Sequence, residues 1–403
     1  MDKPNVFYTG TVSIWNLPRK LVYVGLLPEY KTELLTTIKT LSTRKNWKSL
    51  AEMLNEKLDA LTPFVLRDAK VSLNLLEKFS DLLVKNGFHK FDKNEIEKYI
   101  IRIGAQKNSK EIIRPNTPFN FVNRSGMIFI SAIMHDGGIT KSGQQPFYVN
   151  TKISLKECVK EAAQNIFGSM DTASINIENK QIVFPKIVGI ILIYGIGLES
   201  GDKTIKDTLI PEFIKKTNIN LKSVYVQQAF DDEGSVSVKN KTISFKSAVL
   251  YEKRPMLTEI VQSMLNDMKI KAKISRDYDY ISKSRRKTCW VLHIHGEDNL
   301  EKFFTHVSFK IKEKEEKLRI ILDSYKQHHD CLWQQTIIKK LRGMQNKDKF
   351  TRKDIQSLMS KSERRTSNYI TWLLERGIIV KIESRKNIGR GFAPCVYRIS
   401  KDV

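Results

Sequence analysis

Phe129-Ile-Ser-Ala-Ile-Met-His-Asp136-Gly137 and Val226-Gln-Gln-Ala-Phe-Asp-Asp-Glu233-Gly234 superpose position by position. Each is an apolar stretch that reads as a helix, closes on a carboxylate and is stopped by glycine. The elements after each stretch repeat as well. After the first come a hairpin (Ile139-Thr, a turn at Ser142-Gly143, then Pro146 to Ile153), a helix from Leu155 to Phe167, strands Ala173–Ile177 and Gln181–Phe184, and a helix from Lys186 to about Tyr194. After the second come strands Ser235–Val238 and Thr242–Phe245 across Lys239-Asn-Lys241, a helix from Met256 to Met268, strands Ala272–Arg276 and Trp290–His295, and a helix from Leu300 to Val307. An α-β-β-α-β-β-α unit therefore occurs twice, its acidic helix ends 97 positions apart. A period near 100 residues is the size of a domain, so the spacing predicts an α+β protein with two tandem, pseudo-symmetric repeats.

Outward from the repeats the pattern changes. Residues 1–117 read as short helices: Lys31 to Leu41, Trp47 to Leu54, Pro63 to Lys70 behind a Thr62-Pro63 start, and Leu73 to Val84. That order suits a helix-turn-helix and suits a plain helical bundle equally. Asn108 to Pro118, polar and carrying two prolines, reads as a linker, which sets the repeats at 118–218 and 219–325. From residue 326 to 403 the expected order is a helix Trp333–Leu341, a capping box Thr351-Arg-Lys-Asp354 opening Ile355–Met359, and a basic helix Arg364–Arg376. Strands Ile378–Glu383 and Cys395–Ile399 then flank a basic loop, the order of a winged helix.

Composition narrows the partner. The 403 residues carry a net charge of +25, and an excess of this size points to a polyanion whose condensed counterions lysine and arginine release. Residues 326–403 hold 18 basic against 7 acidic side chains, the densest positive charge of the chain. The longest apolar run, Ile187 to Leu198, is broken by glycines and too short to span a bilayer, and no secretory signal opens the chain. Cysteines 158, 289, 331 and 395 show no CxxC spacing, which argues against zinc and for a reducing interior. A cytoplasmic, nucleoid-associated protein with no membrane partner is expected.

The motif ends carry the chemistry. If the two apolar helices pack side by side, Asp136 and Glu233 meet at their base. Two adjacent carboxylates repel unless a divalent cation lies between them, and magnesium takes such oxygen ligands while retaining waters. A metal held there activates a water and stabilises the leaving oxygen of a phosphodiester.

These paired motifs resemble those of the LAGLIDADG (DOD-type) homing endonucleases in their single-chain, two-motif form. Phe230-Asp-Asp-Glu-Gly234 is the more specific match, and His135-Asp-Gly-Gly-Ile139 resembles the variant of archaeal and intein-borne members. The resemblance covers residues 118–325. It implies a β-saddle lying in the major groove of double-stranded DNA, with Asp136 and Glu233 binding Mg2+ at the cleavage sites. It also implies a basic residue beside each acid. Gly201-Asp-Lys203-Thr resembles the usual Gly-x-Lys turn, and in Phe309-Lys-Ile-Lys312-Glu-Lys314 the residue favoured is Lys312 over Lys314. The catalytic set is then Asp136, Glu233, Lys203 and Lys312. One departure stands out: where the family often has glycine at the third motif position, this chain has Ser131 and Gln228, and the glutamine is expected to loosen the contact between helices.

Polar residues borne by strands and loops are the candidate DNA contacts, with strand register left open by the sequence. In repeat 1 they are Lys141, Gln144, Gln145, Tyr148 and Asn150; in repeat 2, Ser235, Ser237, Lys239, Lys241 and Lys246, with Lys283, Arg285, Arg286 and Lys287 in the second β-β loop. In the tail they are Arg364, Arg365, Ser367 and Asn368 on the recognition helix and Arg385, Lys386 and Arg390 in the wing. His293 and His295 sit two apart on a strand with no third metal ligand nearby, so packing or surface roles are expected of them. The reading is a site-specific, Mg-dependent double-strand endonuclease acting as a monomer with internal two-fold symmetry. The chain opens on methionine and ends Ser-Lys-Asp-Val rather than His-Asn, so a freestanding form is expected over a self-splicing intein. Two rivals stay open: a DNA-binding regulator that has lost cutting, and an RNA maturase that assists intron splicing.

Overall fold

The computed structural model describes residues 9–106, 109–170, 178–205, 210–251, 253–282, 284–329, 332–343, 349–359, 363–383, 387–388, 391–392 and 395–400. These fall into two compact units, residues 1–320 and 321–403. No helix among the described residues is long and apolar enough to cross a membrane.

Within the first unit, repeat 1 runs α1 (Arg124–Met134), β1 (Gly137–Ile139), β2 (Pro146–Val149), α2 (Ile153–Phe167), β3 (Gln181–Val183) and α3 (Lys186–Ile190), which continues as a π-helical turn over Ile191–Gly195. Repeat 2 runs α4 (Ile219–Glu233), β4 (Gly234–Ser237), β5 (Thr242–Leu250), α5 (Met256–Asp267), β6 (Ala272–Ser282), β7 (Arg285–His295) and α6 (Glu297–His306), followed by α7 (Lys312–His329), which begins in the first unit and ends in the second. Both motif helices start on an asparagine whose side chain accepts a backbone amide of the first turn: Asn123 from Gly126 and Asn218 from Leu221. Repeat 1 forms an antiparallel sheet in the order β1-β2-β3; repeat 2 forms β4-β5-β7-β6.

Every residue of α1 from Gly126 to Met134 is buried, which is why this helix is apolar all round rather than on one stripe. Phe129 meets Phe167 and Phe184 edge-on, at centroid distances of 5.4 and 5.1 Å. Phe230 of α4 packs against Phe245 and Phe303 at 5.4 and 4.9 Å. Both helices end on glycine because the chain turns straight from helix into strand. A Cβ on Gly137 would lie 2.5 Å from the Phe147 carbonyl oxygen, and one on Gly234 would lie 2.4 Å from that of Phe230.

Several sequence expectations need correction. The expected strand Pro146–Ile153 stops at Val149, because Ile153 already opens α2. The strands of repeat 2 are longer than expected, since β6 and β7 run on beyond the core as an 11-residue ladder on each side. The expected strand Ala173–Ile177 lies outside the described residues. The N-terminal region is mixed rather than helical. Its helices Pro28–Leu41, Trp47–Met53, Leu58–Leu66 and Leu73–Lys85 pack beside an antiparallel sheet in the order Val71–Ser72, Tyr23–Leu26, Ile100–Gly104, Glu111–Ile113 and Ser169–Met170. The helix expected at Pro63–Lys70 begins five residues earlier, with Pro63 inside it. Nor is Asn108 to Pro118 a linker. Glu111–Ile113 is a strand joined to Ser169–Met170 of repeat 1, and Thr11–Val12 pairs with Phe119–Asn120, so no boundary falls at 117.

In the second unit, helices Leu332–Arg342, Arg352–Met359 and Glu363–Glu375 accompany a three-stranded antiparallel sheet in the order Phe350–Thr351, Val396–Ile399, Ile379–Glu383. Ile337, Ile355, Leu373 and Ile379 form its core. The Asp354 carboxylate accepts both the amide and the hydroxyl of Thr351, at 2.6 and 2.7 Å, and so fixes the start of the middle helix.

Candidate functional site

The motif helices α1 and α4 lie side by side. Ser131 crosses between them, its hydroxyl donating to the Tyr225 carbonyl at 2.9 Å, and the Tyr225 hydroxyl reaches the Met134 sulfur at 3.7 Å. Gln228 does not wedge the helices apart. It is fully buried, its amide NH2 donates to Asp232 Oδ1 at 3.1 Å, and its carbonyl accepts the Lys310 ammonium at 3.2 Å. The glutamine is tolerated because both ends of its amide find partners, as a buried polar group requires.

The helix ends bring the acids together. Burial raises the Asp136 carboxyl, against the pull of the Asn150 hydrogen bond and of Lys203 and Lys314. Burial pushes Glu233 up to about 7; the charge on Asp136 adds to this, and Lys203 and Lys314 oppose it. Asp232, the residue before Glu233, is raised well above the ordinary carboxylate range by burial and then by Asp136. Its Oδ1 accepts the Tyr148 hydroxyl at 2.6 Å, while its Oδ2 is screened from solvent without a hydrogen-bond partner. His135, which aligns with Asp232 in the repeat, is buried, stands edge-on to Tyr225 and Phe245, and is held neutral with its pKa lowered to about 3 by that burial.

Two lysines cap the two helix ends. The Lys203 ammonium donates to the carbonyls of Met134 at 2.9 Å, Ile133 at 3.4 Å and His135. The Lys314 ammonium donates to those of Phe230 and Asp231, at 2.9 and 2.6 Å. Each thus meets the negative end of a helix dipole and lies within the field of both acids. Burial lowers Lys203 to about 8, and it lowers Lys314 as well. The second lysine is therefore Lys314, not the expected Lys312, which is exposed at the start of α7. The reason lies in Asp231. Its carboxylate accepts the amides of Lys310 (3.1 and 3.2 Å) and Ile311 (3.3 Å), fixing the approach to α7 so that the third residue of the helix faces the site.

Among the described residues no three His, Cys, Asp or Glu side chains converge on a metal-sized site. Two carboxylates remain a fitting set for magnesium, which keeps waters and needs only one or two carboxylates beside substrate phosphates. Their raised pKa values mark buried negative charge that a divalent cation would offset. Asp136 and Glu233 are the residues that would hold it.

The two sheets treat the candidate DNA contacts differently. In repeat 2, Ser237, Thr242 and His295 form one cross-strand row, and Ser235, Ser244, His293 and Lys273 form the next. Lys246, Val291 and Ser275 follow, then Cys289 with Tyr278, then Lys287 with Tyr280. All stand on the face turned away from buried Ile243, Phe245, Leu292 and Ile294. Lys239 and Lys241 lie at the hairpin turn, Arg285 is exposed at the far hairpin, and Arg286 stacks on Tyr251 at 3.7 Å while pairing with Asp279 at 3.0 Å. Lys246 also carries an ion pair, to Asp277 at 3.0 Å.

In repeat 1 two of the candidate contacts turn inward. Tyr148 is fully buried and points inward to Asp232, and Asn150 donates to Asp136 Oδ2 at 2.9 Å. Both support the acids rather than face outward, because a one-residue shift in register exchanges the faces of a strand. The outward positions are Gly138, Phe147, Val149 and Val183, with Gln181 at the end. Lys141 and Gln145 are exposed in the β1–β2 turn, and Gln144 there reaches the Tyr194 hydroxyl at 3.4 Å.

In the second unit, Ser367 is half-buried and Asn368 exposed on helix Glu363–Glu375, which also contains Arg364 and Arg365. Lys283, Arg385, Lys386 and Arg390 lie outside the described residues. Sequence reasoning missed Asp231 and Asp232 and ranked Lys314 below Lys312, although the doubled aspartate before Glu233 stands in the motif and a buried acid needs a donor. It also missed Lys273 and Ser244, which alternate with buried Ile243 and Phe245 and half-buried Ile274.

The likeness of this chain to known proteins is limited. No curated protein matches this chain. One solved structure it resembles is the N-terminal LAGLIDADG domain of DUF199/WhiA, at 13% identity over 50% of this chain and 90% of that one, with a TM-score of 0.29. Residues 221–308, which span nearly all of repeat 2 including Glu233, match the family described as LAGLIDADG-like domain.

Proposed function

We propose that this chain is a metal-dependent endonuclease that cleaves duplex DNA at the Asp136–Glu233 pair. The observation that carries the reading is the duplicated helix end: an acid, a glycine and a half-buried lysine donating to the last carbonyls recur at equivalent places on two packed helices. A lone structural acid needs no such copy. A magnesium ion held by Asp136 and Glu233 would supply an activated water and charge for the leaving oxygen. Asn150 fixes the Asp136 carboxylate, and Asp231 fixes the loop that delivers Lys314. Lys203 and Lys314 keep positive charge beside the acids, where they would favour a phosphate that gains charge during cleavage. The +25 net charge favours the polyanion.

A second reading, duplex binding without cutting, is favoured by one observation: both lysine ammonium groups already donate to helix-end carbonyls. Cleavage of a randomised duplex library with magnesium separates the two. The endonuclease reading expects cut products that vanish in Glu233→Gln while duplex binding persists. Binding without cleavage under magnesium or manganese favours the regulator, and selective capture of structured RNA favours the maturase.

A further inference from the structure

Where β6 and β7 run on beyond the core, a cleft of about 730 Å3 opens on the helix side of the sheet. Small-molecule sites are commonly of this size, about 300 to 1,000 Å3. Trp290 and Arg276, opposite one another across the ladder, form its sheet wall together with Ile274. They stand on the face shared with buried Leu292 and Ile294, the reverse of the face that carries Ser244 and His293. Helix α5 contributes Glu259 and Gln262, and the segment before it contributes Tyr251 and Arg254.

The lining joins an aromatic plane to positive charge. Trp290 is partly exposed, and among the described residues its indole N–H makes no hydrogen bond, so no such partner fixes the ring. Gln262 donates its amide NH2 to the Ala272 carbonyl at 2.8 Å, which leaves its own carbonyl oxygen as an acceptor in the wall. Arg254 gives its Nε and one Nη to a single Glu259 oxygen, at 3.1 and 3.0 Å, and Arg276 gives the same pair to Asp279. A guanidinium has five N–H donors, so each retains others. Their side chains are 78% and 48% exposed, respectively. Tyr251, held against the Arg286 guanidinium at 3.7 Å and that of Arg276 at 5.2 Å, makes a fixed end wall. Among the described lining residues, Lys253, Arg254 and Arg276 set three positive charges against the carboxylate of Glu259 alone. The first turn of α5 adds the positive end of its dipole.

We propose that this cleft binds a free nucleotide, its base laid against Trp290 within reach of the Gln262 carbonyl and its phosphate taken by Arg254 and Arg276. A base alone would leave the two guanidinium groups unused, and a phosphate alone would leave the aromatic wall bare. Arg254 also borders the hollow lined by Glu233 and Lys203, so the nucleotide site and the acid site share one wall. Binding here requires neither duplex nor cutting.

The test is calorimetric titration of the full-length chain, free of DNA and metal, with the common nucleoside monophosphates, and with adenosine and ribose phosphate as half-ligands. At least one monophosphate should bind at a single site and quench tryptophan emission, and the quench should be absent from Trp290→Phe. Loss of the base or of the phosphate should weaken binding by at least about 10-fold, and so should Arg254→Ala, an exposed position whose change leaves the fold intact. The double variant Asp136→Asn, Glu233→Gln should bind the nucleotide as the natural chain does. No binding of any monophosphate overturns the proposal, as does equal binding of ribose phosphate or binding that Arg254→Ala and Trp290→Phe leave unchanged. Loss of binding in the double variant would put the nucleotide at the acids and overturn it too. None of these results decides whether the chain cuts DNA, which the duplex library tests separately.

Discussion

Repeats 1 and 2 agree at their helix ends and part within one strand of them. Both motif helices end in acid and glycine, and both are capped by a lysine from a distant segment. Yet the residue before the acid is a neutral, buried histidine in one and a buried aspartate in the other. Beyond it, the described outward positions carry glycine, phenylalanine, valine and Gln181 in repeat 1, and serine, histidine and lysine beside Val291 and Cys289 in repeat 2. The difference marks the reach of one demand. A metal between two helices requires both ends to be built alike, because each contributes one ligand.

The comparison breaks first if the lysines are unequal. Lys203→Met and Lys314→Met should each lower single-turnover cleavage by about 100- to 1,000-fold, and Lys312→Met should change it less than about 2-fold because its side chain faces solvent. An effect of Lys312 as large as that of Lys314 would reverse the assignment of the second lysine. Next in size is backbone packing. Gly137→Ala and Gly234→Ala should each destabilise the first unit by about 2–4 kcal/mol in urea unfolding, since each new methyl meets a carbonyl oxygen. Unequal losses would show that one helix end is looser than the other.

A smaller effect concerns pH. The folded chain raises Glu233 from its ordinary 4.5 to about 7, so it holds that proton more tightly than the unfolded chain does. The stability this contributes is full below pH 4.5 and is lost as pH rises through 7. Without metal, Glu233→Gln should therefore unfold at higher temperature than the natural chain at pH 8, by on the order of 2 kcal/mol, and match it at pH 4. The same carboxylate must ionise to hold a cation, so cleavage should climb as pH rises through about 7 and fall as Lys203, at about 8, loses its proton. A flat profile between pH 6 and 9 would remove both groups from the reaction.

The motif helices, their glycines and the duplicated order were legible because burial on every side leaves an unbroken apolar run, and a sharp exit demands glycine. Register in repeat 1 was not. Tyr148 lies on a short strand and Asn150 just past its end, and nothing local tells whether a tyrosine hydroxyl seeks solvent or the Asp232 carboxylate. Lys314 was hidden by its neighbours, since three lysines within five residues are told apart only by where Asp231 anchors the loop. The N-terminal sheet escaped notice because its strands are two to five residues long and one of them comes from repeat 1. Pairing at such distance leaves no period in the sequence.

The central claim is that Asp136 and Glu233 jointly hold one divalent cation, and manganese titration of the duplex-bound full chain, monitored by electron paramagnetic resonance, measures it directly. The account predicts bound manganese in the natural chain and its loss in the double variant Asp136→Asn, Glu233→Gln, with duplex still bound. Equal manganese uptake by both proteins would contradict it.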